Sequence, residues 1–494
     1  MIETGIYSIL PPIIAIALAL ITKEVYSSLF IGVMSGMVIY VIFAHESFVA
    51  IFAHMFDMMA GKIADNSYMI IFLALLWAVI TLVGRSGGME SYGRLAGKRL
   101  KSRRTTTLAT MLLGILIFID DGFNCLTIGT VMRPIYDRQK ISREKLAYII
   151  DATAAPVCII APVSSWAVAV ASEVSKTDGF NVFLSTIPYN LYALLTIIMV
   201  LFITLTGKDF GKMKKAEEAA AKADAQDGGI DTDDKDPEKG GKVIDLVLPI
   251  VMLVIFAILG MAYVGGFFEG VPFSEAIGEN PVAGLSLGAF VGLVTAFVMY
   301  IPRKILSPKQ FVESIVSGIG SIVPPMIILI LSWSLGGVCR EMIGTGEFIS
   351  GFVSSADLPL WMLPFMVFVI AALMSFSMGT SWGTFGMLIP IVTMICAAAG
   401  GGLLVPTLGA TLAGSVYGDH CSPISDTTIL ASTGAQCEHI RHVETQIPYA
   451  TLVAITCAIG YLIIGLSGTA WAGLITGAVL LVLSVMVLGK VKEK

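Results

Sequence analysis

Gly418-Asp-His-Cys-Ser-Pro-Ile-Ser-Asp-Thr-Thr428 places two carboxylates, an imidazole, four hydroxyls and a proline inside an otherwise apolar segment. An ionisable side chain within a membrane is energetically costly, so such residues usually face a cavity and serve function. Pro423 removes a backbone donor and frees carbonyl oxygens, and irregular backbone at membrane depth is tolerated only beside protein or water. The stretch therefore predicts an interrupted membrane helix with oxygen ligands for a cation.

The composition around this stretch is typical of a polytopic helical membrane protein. Of the 494 residues, 56% are hydrophobic and only 14% are charged, whereas a soluble domain carries roughly 25% charged residues. Apolar runs long enough to cross a bilayer recur along the whole chain. The basic residues lie in loops rather than on one face, which does not indicate nucleic-acid binding.

The basic loops predict a topology, because cytoplasmic loops of membrane proteins are rich in lysine and arginine. Residues 94–104 and 133–145 are both basic, so the segment between them, 105–132, should enter and leave the membrane on the cytoplasmic side. We predict a re-entrant hairpin there, with its tip near residues 120–122, and a second hairpin at 362–398. The sequence thus predicts an all-α membrane protein with about 11 spans and two hairpins, the N-terminus outside and the C-terminus inside.

Repeated residues indicate a duplication within the chain. At one offset of 256 residues, the sequence pairs Gly32 with Gly288, Gly36 with Gly292, Trp77 with Trp333, and Pro134 with Pro390. Each half has an odd number of spans, so the second half should be inverted relative to the first. Inverted repeats whose discontinuous helices meet near the midplane are the architecture of secondary transporters.

The predicted organisation is two repeats joined by a linker. The first repeat covers 1–206, the linker 207–242, the second repeat 243–466, and an extra C-terminal span with its tail 467–494. Each repeat contains scaffold helices, then a hairpin and then a broken helix, with the broken helices at 146–172 and 403–431. The linker is rich in alanine, aspartate and lysine, which predicts a flexible, charged, cytoplasmic tether.

Two aspartates flank the predicted break in the second repeat. Asp419 and Asp426 lie two helical turns apart and would share one face of a continuous helix, whereas the break lets them converge differently. Hard cations prefer oxygen ligands, and one carboxylate can bind either a cation or a proton. We predict Na⁺ ligands at Asp426, Asp419, Ser422 and Ser425, and further ion or proton ligands at Thr427 and Thr428.

The histidines of this region are harder to assign. His420 is either a proton carrier or a hydrogen-bonded structural group. His439 and His442 fall in a predicted cytoplasmic loop, where we expect both to be solvated.

The first hairpin has Asp120, Asp121 and Asn124 at its predicted tip. Paired acids within a membrane repel each other, so a cation or proton should be shared between them. The alternative is a helix cap with a salt bridge to a loop arginine. Asp151, just before the first break, is either a site residue or an interfacial one.

The corresponding positions in the second hairpin carry hydroxyls and no acid. Residues that could bind a solute are Thr380, Ser381 and Thr384 of that hairpin, together with Ser164 and Ser165 of the first broken helix. Ser165 occupies the position at which the second half has Asp426. This difference indicates one dominant carboxylate rather than two symmetric sites.

Residues 418–433 resemble the signature of the NhaC-type Na⁺/H⁺ antiporter family, and the segments around Asp120 and Pro162 also fit that family. The resemblance implies inverted repeats with paired hairpins, in which a transport domain moves as an elevator against a scaffold, here 6–84 and 243–338. It also implies Na⁺ as the coupling ion without a further cofactor, a homodimer, and a bacterial or archaeal cytoplasmic membrane. The family includes malate–lactate exchangers and amino-acid importers.

Two functions therefore stay open. The first is exchange of Na⁺ or Li⁺ for protons, with alternating occupancy of Asp426 and Asp419. The alternative is a Na⁺- or H⁺-coupled carrier of a small carboxylate or amino acid, but no membrane-buried arginine lies near the broken helices to bind a carboxylate. Paired hairpins suggest gates rather than a continuous channel filter. Hydrolase motifs such as Gly-x-Ser-x-Gly and His-Glu-x-x-His do not occur, so we expect no enzyme.

Overall fold

The computed structural model describes residues 2–118, 120–174, 178–222, 241–273, 276, 280–355 and 359–489. Within these ranges the regular secondary structure is helical throughout, without a strand. Eleven of the described helical segments are long and apolar enough to cross a bilayer. The predicted all-α membrane fold with about 11 spans is confirmed.

The helices of the first half and the start of the linker follow one another with short connections. They are α1 (Leu10–Thr22), α2 (Val25–Ala44), α3 (Ala50–Asp65), α4 (Ser67–Gly84), α5 (Gly88–Arg99), α6 (Arg103–Leu116), α7 (Asp121–Arg138), α8 (Arg143–Thr153), α9 (Ala155–Cys158), α10 (Ser165–Val174), α11 (Gly179–Thr186), α12 (Leu191–Thr206) and α13 (Gly211–Lys222).

The second half repeats the order of scaffold helices, hairpin and broken helix, and it has one additional helix at its end. Its helices are α14 (Val243–Val264), α15 (Pro281–Tyr300), α16 (Pro308–Ser321), α17 (Val323–Gly337), α18 (Thr345–Ser355), α19 (Leu363–Met378), α20 (Ser381–Ala398), α21 (Leu404–Cys421), α22 (Asp426–Ala435), α23 (His439–Ser467) and α24 (Ala470–Leu488). A π-helical turn, Val338–Met342, follows α17.

Both predicted hairpins consist of two helices separated by a short break. In the first, α6 ends at Leu116 and α7 begins at Asp121. In the second, α19 and α20 are joined at Gly379, whose φ of +68° lies in the left-handed region that favours glycine. Both legs of the second hairpin are long and apolar enough to span a membrane, whereas neither leg of the first is.

The predicted helix interruptions are also present. In the first broken helix, α8 and the short α9 precede an irregular segment, and α10 then begins at Ser165. In the second, α21 ends at Cys421 and α22 begins at Asp426, so the break contains Pro423. Each interruption leaves a helix end inside the protein, where its free backbone groups can bind a ligand.

The helix bounds repeat along the chain, as the duplication predicts. α2 and α15 begin 256 residues apart, as do α4 and α17. After the hairpins the spacing is larger, and α10 and α22 begin 261 residues apart. Because α7 and α20 begin 260 residues apart, Pro134 and Pro390 are not equivalent positions, and that one sequence pairing was wrong.

Equivalent close contacts hold the scaffold helices of each half together. A methyl group on Gly288 of α15 would lie 2.5 Å from the Ala257 backbone nitrogen of α14. A methyl group on Gly32 of α2 would lie 2.8 Å from the Ala15 side chain of α1. Small residues at such crossings let membrane helices pack backbone to backbone.

Two amphipathic helices, α3 and α16, were not predicted from the sequence. They occupy the same place in each half, directly before α4 and α17. Their polar residues interrupt the apolar runs, and for this reason a search for continuous apolar spans passes over them.

The first part of the predicted linker is docked on the protein rather than flexible. Lys145 of α8 forms ion pairs with Asp209 at 2.6 Å and with Glu217 of α13 at 3.8 Å. Ser142 also donates to Glu217 at 2.6 Å. The prediction of a flexible tether is therefore wrong for residues 207–222, because buried ion pairs hold them. Residues 223–240 lie outside the described residues.

Candidate functional site

The candidate site lies where the two hairpin breaks meet the two broken helices. The C-terminal end of α21 and the N-terminal ends of α7, α10, α20 and α22 approach one another there. Helix N-termini carry partial positive charge and free N–H groups, while the C-terminal end of α21 carries free carbonyls. Ionisable side chains and helix ends thus share one buried region.

Asp419 is the central carboxylate of this region. It lies in the last turn of α21 and is 5% exposed. Ser381 Oγ donates to Asp419 Oδ2 at 2.7 Å, and Ser425 lies beside the same carboxylate. Asp419 Oδ1 is buried and has no hydrogen-bond partner. Because a buried carboxylate oxygen without a partner is unfavourable, Oδ1 is suited to bind a cation or a proton.

The second hairpin contributes one of its three predicted residues directly to Asp419. Ser381 is the first residue of α20, and its position at the break points the hydroxyl towards α21. Thr380 caps α20, with its hydroxyl accepting from Gly383 N at 3.4 Å. Thr384 donates to the Thr380 carbonyl at 2.9 Å. Thr380 and Thr384 thus stabilise the start of the helix that presents Ser381.

The acids of the first hairpin lie at the N-terminal end of α7. Asp120 caps α7, with Oδ1 accepting from Phe123 N at 2.8 Å. Asp121 lies beside the Trp166 indole of α10 and acts electrostatically on Asp419. Asp120 thus forms the helix cap that was the alternative interpretation of this hairpin. Within the described residues, however, no arginine pairs with either acid.

Asn124 holds the first hairpin break in shape. Its Nδ2 donates to the Gly114 carbonyl at 2.8 Å and to the Ile117 carbonyl at 2.9 Å, which are free at the end of α6. Its Oδ1 is buried and has no hydrogen-bond partner. Asn124 thus combines a structural role with a neutral oxygen that remains free to bind.

Asp151 lies at the centre of a second buried cluster. It is 1% exposed, and its Oδ2 accepts from Gln446 Nε2 at 2.7 Å. His442 Nε2 lies 3.3 Å from the same oxygen. Gln446 Nε2 also donates to the His420 carbonyl at 2.5 Å. The cluster therefore ties α8 of the first repeat to α21 and α23 of the second.

His420 is hydrogen-bonded within this cluster. Its Nδ1 lies 2.7 Å from the Tyr192 hydroxyl of α12, and its Nε2 lies 4.0 Å from Asp151 Oδ2. Asp151 also acts electrostatically on Asp419. A buried carboxylate with two histidines can hold and pass a proton, which is chemistry that the Asp419 region alone does not offer.

His442 is not solvated, which corrects that prediction, while His439 is half-buried and hydrogen-bonded. His442 is 0% exposed because α23 begins at His439 and turns His442 towards α8. His439 Nε2 lies 2.7 Å from the Pro423 carbonyl, so it binds a backbone oxygen freed by the break. His442 and Gln446 were not predicted as site residues, although their spacing of four residues places them on one face of a helix.

Asp426 does not join Asp419 in this conformation. It is exposed at the first position of α22 and acts electrostatically on Tyr26 of α2. Ser422 donates to the Phe376 carbonyl of α19 at 2.8 Å. The irregular segment before α22 changes the direction of the chain. Of the four predicted Na⁺ ligands, Asp419 and Ser425 are therefore neighbours, whereas Asp426 and Ser422 point away from Asp419.

The remaining predicted residues line the breaks. Thr427 Oγ1 lies 3.0 Å from Ser425 Oγ, and Thr428 Oγ1 is buried without a partner. Ser164 donates to the Cys158 carbonyl at 2.9 Å and thereby holds the first broken helix. Ser165 is fully buried at the start of α10.

Comparison with known proteins gives a family match over most of this region. A family model described as the Na⁺/H⁺ antiporter family matches residues 166–466, which include Asp419, His420 and Gln446. An uncharacterized protein of Haemophilus influenzae is 36% identical over 99% of this chain and 96% of its own length.

Two further similarities are more distant. The malate-2H⁺/Na⁺-lactate antiporter of Bacillus subtilis is 28% identical over 36% of this chain and 42% of its own length. The crystal structure of the YdaH transporter of Alcanivorax borkumensis has a TM-score of 0.56 at 13% identity, covering 88% of this chain and 89% of that one. The likeness to YdaH concerns the fold alone.

Proposed function

The chain belongs to the Na⁺/H⁺ antiporter family, and on this premise we propose that it exchanges Na⁺ for protons at Asp419. One observation carries the proposal: Asp419 Oδ1 is a buried carboxylate oxygen without a hydrogen-bond partner, while Oδ2 is held by Ser381. The held oxygen fixes the orientation of the carboxylate, and the other oxygen can bind either ion.

The exchange follows from competition between the two ions. An ionised Asp419 in a low-dielectric surrounding binds Na⁺ together with hydroxyl and carbonyl oxygens at the break. A protonated Asp419 has lost the charge that attracts Na⁺. Asp121 acts electrostatically on the same carboxylate, so that a bound cation relieves repulsion between the two acids. One ion must leave before the other binds, and this gives coupled exchange.

Alternating access is proposed as an elevator movement of the hairpins and broken helices against the scaffold. The proposal is supported by the glycine contacts of α1 with α2 and of α14 with α15, which make two tightly packed helix pairs outside the site. The moving unit would contain α6 to α10 and α19 to α22, and these helices hold Asp419, Asp121 and Ser381 together.

Proton movement in proteoliposomes, read with a pH-sensitive dye and without organic solute, tests the proposal. Na⁺ should collapse a preset pH gradient, and Asp419→Asn should abolish this response. Asp426→Asn is the matched control, because it makes the same change a few residues away at an exposed position. If Asp419→Asn retained full exchange while Asp426→Asn lost it, Asp426 would be the transporting carboxylate and the proposal would be wrong.

A Na⁺- or H⁺-coupled carrier of a small carboxylate or amino acid is the second candidate. It is favoured by the similarity to a malate-2H⁺/Na⁺-lactate antiporter and by the helix N-termini at the breaks, which can bind carboxylates. A substrate at one hundred times its dissociation constant stabilises the folded protein by about 2.7 kcal/mol. A rise in melting temperature with malate, lactate or an amino acid would support the carrier, whereas a response to Na⁺ or Li⁺ alone would support simple exchange.

We further propose a cytoplasmic membrane location with the N-terminus outside, supported by the basic loops at 94–104 and 133–145. A homodimer is expected from the family. Cysteine accessibility from each side of sealed vesicles tests the orientation. Mass measurement in detergent tests the dimer.

A further inference from the structure

Glu173 is a buried acid that the exchange at Asp419 does not use. It lies in the last turn of α10, is 1% exposed, and neither of its carboxylate oxygens has a hydrogen-bond partner. An ionised carboxylate buried in this way is strongly unfavourable. The helix dipole adds to the difficulty, because the C-terminal end of a helix carries partial negative charge.

The polar group next to Glu173 is the Ser332 hydroxyl of α17, a helix that packs against α10. Ser332 Oγ donates its hydrogen to the Gly386 carbonyl of α20 at 2.5 Å. A hydroxyl has one hydrogen, so Ser332 Oγ can only accept a further hydrogen bond. An ionised carboxylate can also only accept, and the two groups would then face each other as acceptors. A protonated Glu173 can instead donate to Ser332 Oγ.

Arg340 is the charged group that acts on Glu173 among the described residues of the surrounding helices. It belongs to the π-helical turn after α17, and its guanidinium reaches back along that helix, since a methyl group on Gly336 would lie 3.0 Å from Arg340 Nη2. The other nearby basic residue, Lys62, is paired with Glu341 at 2.5 Å. Arg340 is therefore the group to which an ionised Glu173 would turn.

These groups lie at a boundary between parts that the proposed elevator movement, on which this step rests, would displace relative to each other. Trp333 Nε1 of α17 donates to Ser172 Oγ of α10 at 3.3 Å, beside Glu173. The position equivalent to Glu173 in the second repeat, 261 residues later, is Gly434, which has no side chain. The acid is thus present in one repeat only, at a contact between α10 and the scaffold helix α17.

We propose that Glu173 is a proton-binding site, separate from the Asp419 centre, that holds its proton against Ser332 and releases it on turning to Arg340. The ligand is a proton, and no other co-reactant is needed. Because Ser332 and Arg340 belong to one segment and Glu173 to another, displacement of α10 along α17 changes which of them the carboxylate faces. Proton binding at Glu173 is thereby linked to the position of α10.

Infrared difference spectroscopy during a pH titration of the full chain in lipid tests this site, because each protonated carboxylic acid gives its own carbonyl-stretch band. Glu173→Gln should lose one titrating band and should fold like the parent, since its amide can still donate to Ser332. Ser332→Ala should shift that same band to higher frequency, because the acid loses its hydrogen-bond acceptor. Glu347→Gln, a change at an exposed acid of α18, should leave the band unaltered.

An unchanged set of titrating bands in folded Glu173→Gln protein would overturn the proposal, as would a Ser332→Ala spectrum identical to that of the parent. If Glu173→Gln did not fold, Ser332→Ala and Arg340→Gln would still test whether Glu173 binds a proton. Arg340→Gln removes the cation that stabilises the ionised acid, so the Glu173 band should persist to higher pH. The spectra do not depend on which solute moves. Failure of Na⁺ exchange with an intact Glu173 band would therefore reject the proposed function and leave this site standing.

Discussion

Replacing Gln446 with leucine would remove two buried hydrogen bonds that join α23 to both repeats. Gln446 Nε2 donates to Asp151 Oδ2 at 2.7 Å and to the His420 carbonyl at 2.5 Å, and leucine can replace neither bond. A hydrogen bond to a charged acceptor contributes about 1.5–3 kcal/mol and one to a neutral acceptor about 0.5–1.5 kcal/mol. We therefore expect the free energy of unfolding to fall by about 2–4.5 kcal/mol.

A double-mutant cycle with Asp151→Ala separates the two bonds. The bond from Gln446 to the backbone carbonyl of His420 survives Asp151→Ala, so the coupling energy reports the Asp151–Gln446 pair alone. We expect a coupling of about 1.5–3 kcal/mol if Asp151 is ionised, whereas neutral hydrogen bonds between membrane helices average about 0.6 kcal/mol in such cycles.

Equilibrium unfolding in mixed detergent micelles measures all four proteins of the cycle. Gln139→Leu is the matched control, because Gln139 donates at 3.3 Å to the Leu100 carbonyl at the partly exposed end of α7. Its loss should change the free energy of unfolding by less than about 1 kcal/mol. A coupling at or below about 0.6 kcal/mol would refute an ionised, hydrogen-bonded Asp151.

Three further predictions concern other parts of the molecule. Lys145→Met leaves the buried Asp209 without its cation, whereas Glu217 keeps its ion pair with Arg103, and it should lower the free energy of unfolding by about 3–5 kcal/mol. Lys212→Met, at an exposed ion pair, should change the free energy of unfolding by less than about 1 kcal/mol, and equal effects in unfolding titrations would contradict the docking of residues 207–222. Gly288→Val should separate α14 from α15 and reduce the yield of monodisperse protein, but Gly320→Val, which has open space around it, should not. Deleting residues 224–238 should leave transport in the dye assay unchanged, because that low-complexity segment contains no motif of the site; a dead protein would show that the segment takes part in function.

The break at Pro423 and the two hairpins could be predicted because they leave strong marks on the sequence. A proline beside acids in an apolar run and two basic loops around 105–132 both violate the rules for a simple span. Few structures can accommodate such residues in an apolar segment, and the helix bounds agree with the predicted interrupted helix and hairpins.

The composition of the buried clusters was less predictable. Asp419 and Asp426 look alike in sequence, and which of them turns inward depends on the backbone of the short segment between α21 and α22. Glu173 near the end of an apolar run resembles an interfacial acid, and His442 and Gln446 resemble loop residues. Their burial arises from contacts between helices that are distant along the chain, which local pattern does not encode.

The contact of His439 with the Pro423 carbonyl has a mechanical consequence. His439 Nε2 holds that carbonyl at 2.7 Å while its Nδ1 lies 3.1 Å from Ser432 Oγ of α22, so the break, the half-helix after it and the start of α23 are fastened together. Such a joint is stiff, and any displacement of α22 must drag the first turns of α23 with it. The flexible point of α23 then has to lie further along the helix. Pro448 inside α23 removes one backbone hydrogen bond, and the helix can bend there.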